Sequence, residues 1–250
     1  MALAPFLSGC SAVTTLGIRP CMGDYPAEHR RLMHRARCVF FPTIRFVDIF
    51  QAIGKPTFPS SASYRYPRSL VLQELLFQHL KLPHPRSRIY FGRRQKRHIA
   101  DDFRFPLLLM SPGAPGGDAA HVVHNHEMLE DLLPRHNPVV VREYTEWEER
   151  ARLILVGFKC VGVLRSVPTG SGSLSFEPME FEHPLLRTPL NVTSRFLPRV
   201  QLDDVTIEWG LSGTGWQLLS MTRTPVRWPT TAGTIIHHAY ISDLIESGFP

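Results

Sequence analysis

An α+β fold is predicted by two patterns in this sequence. Helical apolar spacing marks segments such as SLVLQELLFQHLKL, where leucines recur every three or four residues, and short β-branched runs come in antiparallel pairs joined by Gly turns. The strand pairs fall in two clusters, which implies layered lobes whose antiparallel sheets enclose a cleft, and clefts of that sort hold ligands. A chain of 250 residues suffices for one large domain or two small ones with a real core.

Taken in order, residues 1–37 carry no motif, and EHRRLMHRAR reads as a basic helix. CVFFPT from Cys38 is a short apolar run ending in Pro and reads as a buried strand, followed by the helical spacing of FVDIFQAIGK. FPSSASYRYP, rich in Ser and Pro, reads as a loop before the leucine-rich helix. RIYFG alternates as a strand, RRQKRHIADDF suits a polar helix, and FPLLLM is a buried strand leading into the loop SPGAPGGDAA. HVVHN reads as a strand, HEMLEDLL as a helix and PVVVREY as a β-branched strand. ARLILVG and KCVGVLR form a hairpin about a tight turn. Pro189 and Pro198 interrupt residues 184–202, which leaves that segment open. DVTIEWGLSGTGWQLLSM reads as strand, Gly turn, strand, and TTAGTIIHHAYISDLIES as a closing helix.

The net charge of +6 admits an anionic partner without requiring one. Nearly all the basic residues are Arg; Lys55, Lys81, Lys96 and Lys159 are the only lysines, which matters wherever phosphate must be held by a point charge. The four cysteines show neither CxxC nor metal-ligand spacing, so reduced thiols and a cytoplasmic setting are expected. LSGC from Leu7 has the form of a lipoprotein cleavage box but lacks the preceding basic residue and long apolar run. No apolar stretch approaches the roughly 20 residues of a spanning helix.

Four collinear segments from about residue 38 onward resemble the ATP-grasp family, which includes glutathione synthetases and ribosomal-protein glutamate ligases. SLVLQELLFQHLKLPHPRSRIYFG resembles the family's helix and following strand. FPLLLM with GAPGG resembles the strand that ends in a Lys and the Gly loop over the phosphates. PVVVREYTEWEERARLILVGFKCVGVLR resembles its Gln-Glu-Tyr and Asp-x-Arg segment, and DVTIEWGLSGTGWQLLSMT its Asp and Glu-x-Asn segment. The resemblance divides the chain into a truncated N-terminal α/β segment, 1–57, and an ATP-grasp-like domain, 58–250, with lobes 58–135 and 136–250.

It also implies roles. Arg142, Glu143 and Tyr144 would line the adenine slot. Gly113, Gly116 and Gly117 would let a loop backbone approach phosphates, since Gly has no Cβ and its N–H groups can converge on an anion; a plain surface turn is the simpler alternative. Arg152 and Arg165 would face an acyl phosphate and a substrate carboxylate as catalytic groups, against the reading of solvated arginines on strands. Glu208 would be the magnesium ligand, and ATP with magnesium the cofactors.

The departures from the family pattern carry more information. The helix Lys falls on Leu70 and the strand-end Lys on Met110. The metal-binding Glu falls on Ser220 and the Asn on Thr222, and Arg150 stands where the family has the Asp before its Arg. Triphosphate charge needs compensation in a dry cleft, and magnesium prefers carboxylate oxygens in near-octahedral geometry. The expected function is therefore an ATP-grasp-like relative of ATP-dependent carboxylate–amine ligases, weak or inactive, retaining binding of a nucleotide or an acidic peptide. The alternative is an active ligase in which Arg68, Arg150 and Glu208 replace the lost groups.

Other chemistry finds less support. Of His121, His124 and His126, only the last two share a strand face, and no Cys is near. EWEER from Glu146 reads as a solvated turn. GxSxG, Walker and GxGxxG motifs are absent. RSRIYFGRRQKRH interleaves Tyr90 and Phe91 with basic residues, a nonspecific hint of nucleic-acid binding that ranks third.

Overall fold

The computed structural model describes residues 1–112, 120–168 and 174–249. The first 58 residues build a small layer: α1 (Ala27–Arg35), β1 (Val39–Phe40), α2 (Thr43–Ala52) and β2 (Thr57–Phe58), the two strands pairing in parallel. Leu3, Val39, Phe46 and Phe50 form its core.

The chain then enters α3 (Ser61–Arg65), where a loop was expected. Ser60 caps this helix by accepting from the Ser63 amide, which is the preference that Ser shows at an N-cap. Asp203 fixes the same turn from across the molecule: its Oδ1 accepts from the Ser60 amide at 2.9 Å and the Ser63 hydroxyl at 2.8 Å. Burial pushes the Asp203 carboxyl up to about 6, the hydrogen bonds only partly opposing it.

The first lobe follows: α4 (Leu70–His79), β3 (Ser87–Tyr90), α5 (Gly92–Lys96), α6 (Ile99–Asp102), β4 (Leu107–Met110), β5 (Ala120–Val123), α7 (His126–Leu132) and β6 (Val139–Glu143). Its sheet is antiparallel with order β3-β6-β4-β5. One face packs Leu107, Leu109, Val139 and Val141 against Ile99 and Leu129. The predicted polar helix is two short ones.

The second lobe comprises β7 (Glu149–Val156), β8 (Lys159–Pro168), β9 (Leu174–Pro178), α8 (Arg187–Val200), β10 (Asp204–Ser212) and β11 (Gly215–Thr222), in an antiparallel sheet of order β11-β10-β7-β8-β9. Gly157 and Phe158 at φ 59° and 65° make the tight turn between β7 and β8, the positive φ at both central residues being that of a type I′ turn, whose twist matches that of the flanking strands. The segment left open by its prolines is helical. Pro189 sits in the first turn, where no intrahelical N–H is required, and Pro198 stands just before the left-handed Gln201 that ends α8. Leu153, Leu155, Ile207, Trp209, Phe196 and Phe77 make the core between this sheet and helices α4 and α8.

The C-terminal segment corrects an expectation: its first half is a hairpin, β12 (Arg227–Thr230) with β13 (Gly233–Ile236), and only α9 (His237–Glu246) is helical. The β-branched run Thr234, Ile235, Ile236 after a glycine at φ 143° favours the strand. Trp228 and Ile235 cover Ile154 and Leu164, while Ile241 of α9 packs with Ala2 and Leu7.

Helix α4 ties the lobes together through two consecutive polar residues, both fully buried. Gln73 mimics a strand partner, donating to the Met221 carbonyl at 2.8 Å and accepting from the Met221 amide at 2.9 Å. Glu74 receives Arg142 of β6 at 2.8 Å, and Arg142 also donates to the Leu219 carbonyl of β11 at 2.6 Å. The Ser87 hydroxyl completes the shell around Glu74.

Candidate functional site

Strand alternation decides which side chains reach the open face of the second-lobe sheet. Ile207 and Trp209 point into the core, so Glu208 between them points away from it. Register places Glu208 directly opposite Arg152 of β7 and Ser220 of β11, and Thr206 opposite Thr222. The positions that the resemblance assigns to metal ligation and to Arg152 are thereby neighbours on one surface.

Their chemistry differs from a metal cage. Arg152 Nε donates to Glu208 Oε2 at 3.1 Å, and Arg150 Nη1 lies 3.6 Å from Oε1, so both carboxylate oxygens face a guanidinium. The Arg152 guanidinium is further held 3.6 Å over the Phe176 ring. Glu208 is largely buried, and two cations against one anion leave this spot net positive. The neighbouring Ser220 and Thr222 offer neutral hydroxyls. Among the described residues no group of three or more His, Cys, Asp or Glu side chains is arranged to hold a metal ion.

The two positions that the resemblance assigns to phosphate-binding lysines converge as well. Leu70, at the start of α4, and Met110, at the end of β4, are both buried and pack in one cluster with Val140. An apolar contact occupies the place where two ammonium groups would meet. The described residues at these positions do not fit a magnesium-bound triphosphate.

The remaining sequence-predicted residues are dispersed. Arg142 is buried in its ion pair with Glu74. Glu143 next to it is half-exposed and pairs with Arg86 at 3.2 Å, and Tyr144 is exposed. Arg165 lies opposite Ala151, which faces the core, whereas Arg152 faces the other side, so the structure does not bring these two arginines together. Gly113, Gly116 and Gly117 fall outside the described residues. Of the aromatic residues in the basic stretch, Tyr90 is buried with its hydroxyl on Asp102 at 2.8 Å, leaving Phe91 alone exposed.

Sequence reading passed over Gln73 and Glu74. The signal was a polar pair interrupting the leucines of an otherwise apolar helix, at positions that helical spacing turns inward. It also passed over the contact between His237 Nε2 and Asp204 Oδ1, 3.0 Å apart, because 33 residues separate them.

No family model matches the chain, and no curated protein matches it by sequence. Solved structures do match. A RimK domain ATP-grasp protein from Sphaerobacter thermophilus DSM 20745 superposes with a TM-score of 0.66 at 13% identity, covering 89% of this chain and 90% of that one. The D-alanine–D-alanine ligase of Bacillus anthracis, solved with ATP, gives 0.61 at 10% identity over 85% of this chain and 75% of that one. The ATP-grasp ligase PsnB, solved with a minimal precursor, gives 0.60 at 13% identity over 90% and 89%. Two antiparallel lobes in this chain order, matched over 75–90% of the length of these three proteins, establish that the chain has the ATP-grasp fold.

Proposed function

We propose that this protein uses an ATP-grasp cleft for binding rather than for ligase chemistry: it takes an acidic ligand, a nucleotide or an acidic peptide, without a divalent metal, and does not transfer a phosphoryl group. The observation that carries this reading is the pairing of Glu208 with Arg150 and Arg152. A carboxylate so neutralised gives magnesium little charge to bind, and the surplus guanidinium favours an oxyanion. The apolar Leu70–Met110 contact supports it, since groups that act as one unit leave little activity when several are replaced. Peptide binding draws support from the structural neighbour PsnB, whose structure holds a precursor.

Isothermal titration with ATP, and separately with an oligoglutamate peptide, tests the reading in magnesium and in excess chelator. Affinity for either that is unchanged by the chelator, with no phosphate release in the presence of amine acceptors, is the expected result. Magnesium-dependent ATP binding followed by phosphate release would overturn it.

A further inference from the structure

Where the N-terminal segment meets α3, the link between β11 and β12 and the start of α9, the fold leaves a cavity of about 460 Å³, within the size range of small-molecule sites. Phe6 and Phe41 enter it from the first layer, Tyr64 from α3, and Pro225 and Val226 from the link between β11 and β12. Phe41 and Tyr64 are buried, whereas Phe6 and Val226 stand exposed at 56% and 65%, more apolar surface than a sealed cavity would leave to water.

Its polar groups are few and unequally committed. Asp204 and His237, 8% and 12% exposed, are spent on each other at 3.0 Å. Ser63 is spent as well, donating to Asp203 and accepting from the Asp203 and Asp204 amides. The Thr224 hydroxyl is buried without a hydrogen-bond partner among the described residues, an uncompensated cost that a bound polar group would relieve. Arg223 is an exposed guanidinium that makes no ion pair among the described residues. Buried Tyr64, pushed up to about 12 chiefly by its burial, stays a neutral phenol.

Arg223, the lining residue of fixed positive charge without an ion pair among the described residues, suits a single carboxylate and is too little for a triphosphate; the unpartnered Thr224 hydroxyl suits one polar substituent, and Phe6, Phe41 and the His238 imidazole stacked on Phe6 suit a flat body. We propose that this cavity binds a small planar carboxylic acid, its carboxylate on Arg223, its ring against Phe6 and Phe41, and a polar substituent at Thr224. The inference goes beyond the reading of the cleft and needs neither nucleotide nor metal, so its failure leaves that reading standing.

The test uses 2-naphthoate and its uncharged analogue 2-naphthamide as probes, titrated calorimetrically into the full chain. The wild type should bind the acid at least tenfold more tightly than the amide. Arg223→Met should erase that preference at an unchanged melting temperature. Should that variant fold poorly, Val226→Asp supplies a like charge at the mouth and should weaken the acid more than the amide. Arg93→Met, on the exposed side of α5, should change neither affinity. Equal affinity for both probes, no binding at millimolar concentration, or a preference that survives both cavity variants would sink the proposal.

Discussion

Arg142 and Glu74 form a fully internal ion pair: the guanidinium Nε meets the carboxylate at 2.8 Å, with side-chain exposures of only 6% and 0%. It joins the helix of one lobe, the sheet of that lobe and the sheet of the other. Removing Arg142 alone strands a carboxylate without water or countercharge, which costs roughly 3–5 kcal/mol. Arg142→Met should lower stability by about that amount in urea denaturation, and the double variant Arg142→Met with Glu74→Met should recover most of the loss. Strictly additive losses would show that the two groups are not coupled.

Gly162 presses on an indole. A Cβ built there would lie 2.7 Å from Trp228 Nε1, and Trp228 is nearly inaccessible. Gly162→Ala should displace the ring and destabilise by about 1–3 kcal/mol, the usual cost of overpacking, with a red-shifted tryptophan emission. Gly213→Ala, where nothing lies within 4 Å, is the matched control and should leave both signals in place.

Asp203 sets a pH dependence. Its folded value near 6 lies above the ordinary 3.8, so between those values the unfolded chain has already released the proton that the folded chain keeps. Stability from this group is full below about pH 4 and is lost as the pH rises through 6, by at most roughly 3 kcal/mol for a shift of that size. Asp203→Asn, which keeps an acceptor for Ser60 and Ser63, should gain on the wild type in melting temperature from pH 4 to pH 7. A constant gap across that window would contradict the assignment.

The thiols should separate by environment. Cys21 is exposed, Cys10 and Cys38 are buried, and burial raises Cys38 and Cys160 to about 11 each. Iodoacetamide at pH 8, followed by mass spectrometry, should modify Cys21 first and the others only on denaturation, since the thiolate is the nucleophile. Alkylation of Cys160 at the rate of Cys21 would refute this.

The architecture was legible because each lobe announces itself locally. Val139–Glu143 and the hairpin around Gly157 carry their patterns in short windows, and alternation over Ile207, Glu208 and Trp209 puts one carboxylate alone on the open face. What escaped was either a cap or a long-range partner. The helix at Ser61 depends on a single N-cap inside a Ser-rich stretch, and the strand at Gly233 hid within an apolar run that a helix also accommodates. The side-chain environment of Arg142 is set by Glu74, 68 positions away, and no local pattern announces that. The neutralised Glu208 was only half legible: Arg150 stood out as an added charge, but its approach to the carboxylate follows from strand register.

The strand-like clasp of Gln73 on Met221 makes α4 a splint across both lobes. Jaws riveted at their base cannot swing freely, because any rotation that parts them must break hydrogen bonds far from water. A molecule entering between the lobes would then meet a gap already close to its final width. Its capture should follow simple one-step kinetics, and amide exchange at Met221 should be among the slowest in the protein whether or not the gap is filled.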